Sequence, residues 1–95
     1  MVVSTLQFIV ELPGISSLKE KRRIVKSLKD RLVHKFRVSA AEVDLLDSLR
    51  FAQIGAALVS NSQQFGESVL NKVLDFAIDN ISGRIVDTKI LSEQF

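Results

Sequence analysis

The chain has 95 residues, of which 46% are hydrophobic and none is cysteine, so it can form one small domain without disulfides, thiolate catalysis or zinc–thiolate sites. No apolar run approaches the roughly 20 residues of a membrane span, and the N-terminus lacks the positive region of a signal peptide. We therefore expect a cytoplasmic protein with no membrane contact, folded as a single domain over residues 1–95.

Charge is strongly segregated along the chain, although its formal net charge is only +2. The stretch from Lys19 to Arg37 holds nine of the 13 cations and two carboxylates, which gives +7. The other four cations and nine carboxylates give −5 to the rest of the chain. Segregation of this kind indicates an anionic partner.

The first half of the chain predicts a strand, a helix and a second strand. Apolar residues alternate over Val2–Leu12, and the Pro13-Gly14 turn ends that strand. A capping box formed by Ser17 and Glu20 begins the helix, and Val38–Val43 reads as a short second strand. The apolar stripe of the helix consists of Leu18, Val25, Leu28, Leu32 and Phe36.

The second half predicts the same three kinds of element after an irregular segment, Asp44–Arg50. Phe51–Ser60 is a third strand, Asn61-x-x-Gln64 is a cap for a second helix, and Arg84–Leu91 is a fourth strand. The predicted stripe of the second helix is Phe65, Val69, Val73 and Phe76, with Leu70, Leu74, Ala77 and Ile78 beside it.

The resulting order, β-α-β-β-α-β, predicts a ferredoxin-like α+β sandwich. Right-handed crossovers place both helices on one face of a four-stranded antiparallel sheet. The other face then has no helix to cover it, and Val3 and Ile9 fall on that side. We expect this exposed apolar surface to make the protein a homodimer.

Three segments carry a resemblance to a known family: LPGISSLKEKRRIVKSLKDRL, VSAAEVD and AQIGAALVSN. Together they resemble the YlxP-like family of small bacterial domains of unknown function, over nearly the whole chain. The resemblance implies a ferredoxin-like, cytoplasmic protein in a translation or ribosome-maturation context, associated with RNA or the ribosome. It supplies no catalytic residue. The chain departs from the family pattern in Asp44–Arg50, where leucines replace an acidic stretch containing His and Trp.

The first helix supplies the candidate site, a set of cations that cluster on one flank of the apolar stripe. A solvated face that keeps a small domain soluble would also explain them, and both explanations stay open. If the partner is RNA, the cations contact phosphates, and two serines with the free amides of the helix start hold one more. The predicted nucleic-acid-binding residues are Ser16, Ser17, Lys19, Arg22, Arg23, Lys26 and Lys29.

Two alternatives belong to other functional classes. Leu12–Ile15 is a candidate ligand-binding turn in a ligand-sensing or scaffolding homodimer, although Pro-Gly is also ordinary turn chemistry. Glu42 and Asp44 are predicted to project to one side of a strand, with Asp47 three residues further on, and these carboxylates could hold a divalent metal for an enzyme. His34 is the sole histidine and has no catalytic companions. We therefore expect a non-enzymatic protein without cofactors.

Overall fold

A computed structural model describes residues 1–95 and has the expected ferredoxin-like architecture. Its sheet has the order β2-β3-β1-β4 with every neighbouring pair antiparallel, and the two helices pack on one face. The elements are β1 (Val2–Glu11), α1 (Leu18–Phe36), β2 (Ser39–Asp44), β3 (Phe51–Ser60), α2 (Gln63–Asn80) and β4 (Arg84–Gln94).

The core lies between the sheet and the helices, on the strand faces that alternation predicts. The buried side chains of the two central strands are Leu6, Phe8, Val10, Ala52, Ile54 and Ala56. Opposite them lie Val25, Leu28 and Leu32 of α1 and Leu70, Val73 and Ala77 of α2. β1 pairs with β3 and β4 along its length, so it forms the centre of the fold.

The second helix departs from the prediction at its cap and in its stripe. Ser62, not Asn61, is the N-cap, and its hydroxyl accepts a hydrogen bond from the Phe65 amide at 3.1 Å. Phe65 and Ile78 are exposed, whereas Gly66 is buried in the stripe. Because glycine has no side chain, α2 can lie directly against β1 at this point, and that contact rotates the buried face.

The edge strands also differ from the prediction. β4 runs three residues past Leu91, because β1 continues to pair with it as far as the Val2–Gln94 pair. Both edge strands carry a register shift of the bulge type. In β2 the shift lies between Glu42 and Asp44, and in β4 it lies opposite the Gln7–Ile9 segment of β1.

Neither helix is long and apolar enough to cross a membrane.

Candidate nucleic-acid interface

The start of α1 is capped by the residues that the sequence singles out. Ser17 is the N-cap, and its hydroxyl accepts from the Glu20 amide at 3.1 Å, as a capping box requires. The Glu20 carboxylate in turn accepts from Ser16, at 2.9 Å from its Oγ and 3.3 Å from its amide. A carboxylate thus already lies at the positive end of the helix dipole, where a phosphate was expected. A role for Ser16 and Ser17 in phosphate binding stays a prediction.

Five cations project from α1 on the side away from the core, and we call them the cationic flank. Four are exposed and Lys29 is half-buried. Lys26 pairs with Asp30 at 2.6 Å, and the other four make no hydrogen bond or salt bridge within the protein. The hydrogen bond from Lys26, with the charges of Lys26 and Lys29, lowers the pKa of Asp30. The cationic flank consists of Lys19, Arg22, Arg23, Lys26 and Lys29.

The cations on the opposite flank of α1 have internal partners. The Arg31 guanidinium donates to the Asn80 carbonyl at 3.3 Å and lies 5.7 Å from the centre of the Phe76 ring. Lys35 Nζ lies 5.3 Å from the same ring and 5.8 Å from that of Phe36. These contacts join α1 to α2, so the second group of charges helps to hold the helices together.

Lys21 is completely buried, which the sequence analysis did not anticipate. Its ammonium group donates to the carbonyls of Leu45 at 2.7 Å and Ser48 at 2.6 Å. It also lies 3.0 Å from Glu42 Oε2, a buried oxygen with no well-aligned hydrogen bond, so that contact is an ion pair held by charge. The sequence spacing does indicate this burial, because Lys21 lies four residues before Val25 and therefore falls within the apolar stripe of the helix.

The three carboxylates proposed for a metal do not come together. The bulge in β2 pairs Glu42 with Ile54 on the helix-covered side, while Asp44 pairs with Gln53 on the other side of the sheet. The expected arrangement of Glu42 and Asp44 on one side of the strand is therefore wrong. No group of three or more His, Asp or Glu side chains in the chain is placed to hold a metal ion.

The turn after β1 lines an open depression of about 860 Å³, together with residues around Arg50 and Arg84. Glu11 stands at its edge, where its carboxylate accepts from Arg50 Nε at 2.7 Å and lies 3.3 Å from Arg84. The hydrogen bond from Arg50, aided by the charges of both arginines, holds the pKa of Glu11 below its usual value. One carboxylate thus partly compensates both cations. Ligand binding by Leu12–Ile15 stays a prediction.

The architecture and the charge arrangement define a ferredoxin-like α+β domain with a cationic first helix. Comparison with known families identifies it further: residues 3–90 match the family described as "Protein of unknown function (DUF503)", and the chain belongs to that family. It is 40% identical over 60 residues to "Uncharacterized protein YlxP" of Bacillus subtilis (strain 168), which confirms the YlxP-like resemblance. That match covers 63% of this chain and 65% of the relative's length.

Among solved structures, the chain is similar to the "De novo designed protein Ferredog-Diesel". The similarity covers 97% of this chain and 84% of the designed one, with 8% identity and a TM-score of 0.45.

Proposed function

We propose that this protein is non-enzymatic and binds the phosphate backbone of structured RNA, including RNA on a ribosomal surface, through the cationic flank of α1. The observation that carries the proposal is that four of the five cations have no partner within the protein, although they lie side by side on one helix. The YlxP-like resemblance, which implies a translation context, agrees with this choice of anion.

The placement of these cations works against the stability of the free protein. Apart from the buried Lys21, five cations and one carboxylate, Glu20, lie between Lys19 and Lys29. The helix dipole favours anions in the first turn, where Lys19 lies, and like charges three or four residues apart repel. A polyanion would relieve both effects. The core fixes α1, so the cations are already held along about 15 Å of helix before a partner arrives.

The mode of binding that fits this surface is contact with phosphates rather than reading of bases. Domains of related topology read single-stranded RNA by stacking bases on exposed aromatic residues of the sheet. Here Phe51 of β3 is half-buried, with the Arg50 guanidinium 5.2 Å from the centre of its ring. The chain has no Tyr or Trp. Recognition by charge and backbone shape therefore suits it better.

The first test measures affinity for a synthetic RNA hairpin by fluorescence anisotropy over a range of salt concentrations. Neutralising five phosphates predicts a slope of log K against log salt of about −3.5 to −4.5. Absence of binding at low salt, or a slope near zero, would contradict the proposal. A single-stranded RNA of the same length should bind more weakly.

The second test reverses two charges, as Arg22→Glu with Arg23→Glu. We expect affinity for RNA to fall at least tenfold. The slope of log K against log salt should become shallower by the contribution of about two phosphate contacts. The control carries an equal change of −4 on exposed positions of α2: Gln64→Glu, Ser68→Glu and Lys72→Glu. Equal losses in the two variants would show that net charge, and not the cationic flank, determines binding.

A further inference from the structure

The uncovered face of the sheet is divided into two halves of unequal bulk. Directly opposed residues of antiparallel strands point to the same side, so the pairing registers fix which side chains share this face. On β2 and β3 they are small next to Gly55, although Gln53 and Val59 also point to this side, whereas Ile9 of β1 and the residues of β4 are larger. The small set is Ser39, Ala41, Gly55 and Ala57, and the larger set is Ile9, Val86, Lys89 and Leu91.

A hollow of about 480 Å³ lies over these small residues, and it is also lined by Val43, by Gln53 and by Thr5 and Gln7 of β1. Ala41 and Gly55 oppose each other at its floor, Ala57 opposes Ser39 beside them, and the Val43 side chain lies against Gly55 at one side. Asp44 lies at the rim, one register step beyond Ala41, because the bulge in β2 turns it to this side. The hollow therefore has an apolar floor and an acidic border.

The β1–β4 half presents the matching features. Leu91 projects from β4 and is 48% exposed. Lys89, two residues earlier on the same side, makes no hydrogen bond or salt bridge within the protein. A hollow with an acidic border thus lies on one half of the face, and a protruding leucine beside a free lysine lies on the other.

We propose that the uncovered face binds the same face of a second copy, about a two-fold axis that runs parallel to the strands. Such an axis lays β4 of each copy over β2 of the other. Leu91 of one copy then enters the hollow of the other, and Lys89 of one copy approaches Asp44 of the other. Because of the two-fold axis, each contact occurs twice. Neither half of the face complements itself, whereas each complements the other half, and an isologous contact requires this.

The size of the face supports a second copy as the occupant. β1 has ten residues and the sheet four strands, so the face measures about 33 by 19 Å, or about 600 Å² on each copy. Two such faces bury about 1,200 Å², at the lower end of the range for specific interfaces. Aligned sheets also pack about 10 Å apart, within reach of leucine and lysine side chains.

The test is sedimentation equilibrium of the RNA-free full chain, at concentrations from about 1 to 200 µM. We expect a dimer with a dissociation constant in the micromolar range. Lys89→Asp and Asp44→Lys should each weaken dimerisation about tenfold, because each brings like charges together. The double variant should return to within about threefold of the unchanged chain, because the pair is restored with its signs exchanged.

Two further variants separate the interface from general effects of charge and folding. Ala41→Phe fills the hollow at an exposed strand position and should leave the chain monomeric but folded by circular dichroism. Lys72→Asp makes the same charge change as Lys89→Asp on α2, away from the face, and should leave dimerisation unchanged. A chain that is monomeric at 200 µM, or a double variant as weak as the single ones, would overturn the proposal. Neither result would affect RNA binding, since the cationic flank lies on the helix side of the sheet.

Discussion

At the scale of single residues, Lys21 ties the β2–β3 connection to α1. Its Nζ is the donor to two loop carbonyls and the counter-ion of Glu42, and the side chain has no contact with solvent. Burying an ammonium group costs free energy that only well-placed partners offset. The carbonyls of Leu45 and Ser48 supply such partners, so their positions stabilise the buried ammonium group.

Replacement of this lysine by an apolar residue should destabilise the fold strongly. Lys21→Met leaves the Glu42 carboxylate and two carbonyls without their partner, and we expect a loss of about 3–5 kcal/mol in the free energy of unfolding by urea. Adding Glu42→Leu should recover part of that loss by removing the uncompensated charge. Arg22→Met, at the exposed neighbouring position, should change stability by less than about 0.5 kcal/mol. A small effect of Lys21→Met would show that water replaces the ammonium group.

The ion pairs of Glu11 predict a dependence of stability on pH. Its pKa is lowered from 4.5 in the folded chain, so the unfolded state binds more protons as the pH falls through that range. The contribution of Glu11 is complete above pH 4.5 and is lost as the pH falls through the folded-state pKa. The stability difference between the unchanged chain and Glu11→Gln should therefore shrink in acid. Glu93→Gln, which removes a carboxylate without an ion pair, is the control. A difference that does not change with pH would contradict this role.

At the scale of elements, the contact between α2 and β1 determines which face of α2 is buried. Gly66 lies against Ser4, whose hydroxyl is 2.7 Å from that of Ser92 on β4. A Cβ at Gly66 would overlap Ser4 Oγ and lie 2.9 Å from Ser4 Cβ. The helix therefore needs glycine here for close packing, although its backbone is ordinary helix.

Gly66→Ala should consequently destabilise the protein, by about 1–3 kcal/mol, because the added methyl group forces α2 away from the sheet. In an exposed helix the same change is stabilising, by about 0.5–1 kcal/mol. Ser68→Ala, at an exposed position of the same helix, should have little effect or stabilise slightly. Thermal unfolding followed by circular dichroism measures both. An unchanged or higher Tm for Gly66→Ala would show that the helix can shift at no cost.

The correct predictions at this scale, which concern the buried faces of strands and helices, depend on local periodicity in the sequence. The faces of β1 and β3 follow from alternation, and the buried positions Val25, Leu28 and Leu32 of α1 follow from helical spacing. The errors depend on contacts between segments distant in the chain. Asn61 and Ser62 are both competent caps, and the packing of Gly66 on β1 decides how the helix is rotated.

For the candidate site the same division holds. The exposed row of cations follows from helical spacing. The burial of Lys21 depends on loop carbonyls 24 and 27 residues away in the chain. The separation of Glu42 from Asp44 depends on a bulge that the local sequence pattern does not predict. The distribution of charge along the sequence can therefore locate a cationic surface, but it cannot show which of the charged residues is buried.

At the scale of the whole molecule, the two proposed surfaces lie on opposite sides of the sheet. The helix layer carries the cationic flank, and the uncovered face carries the hollow, Leu91 and Lys89. In a dimer joined through the uncovered faces, the two cationic flanks would stand on opposite outer sides. One dimer could then bind two RNA segments at once, and the RNA tests above should be repeated with the Ala41→Phe monomer to compare one flank with two.

The bulges of the two edge strands have a consequence for how copies of this chain can assemble. Asp87 in β4 and Leu45 just after β2 have positive φ angles, of 50° and 61°, next to the register shifts. Irregular edges of this kind offer a poor template for another strand. Lateral growth of the sheet into a fibre is thereby disfavoured at both edges. The proposed dimer uses the face of the sheet instead, and its two-fold contact closes after two chains.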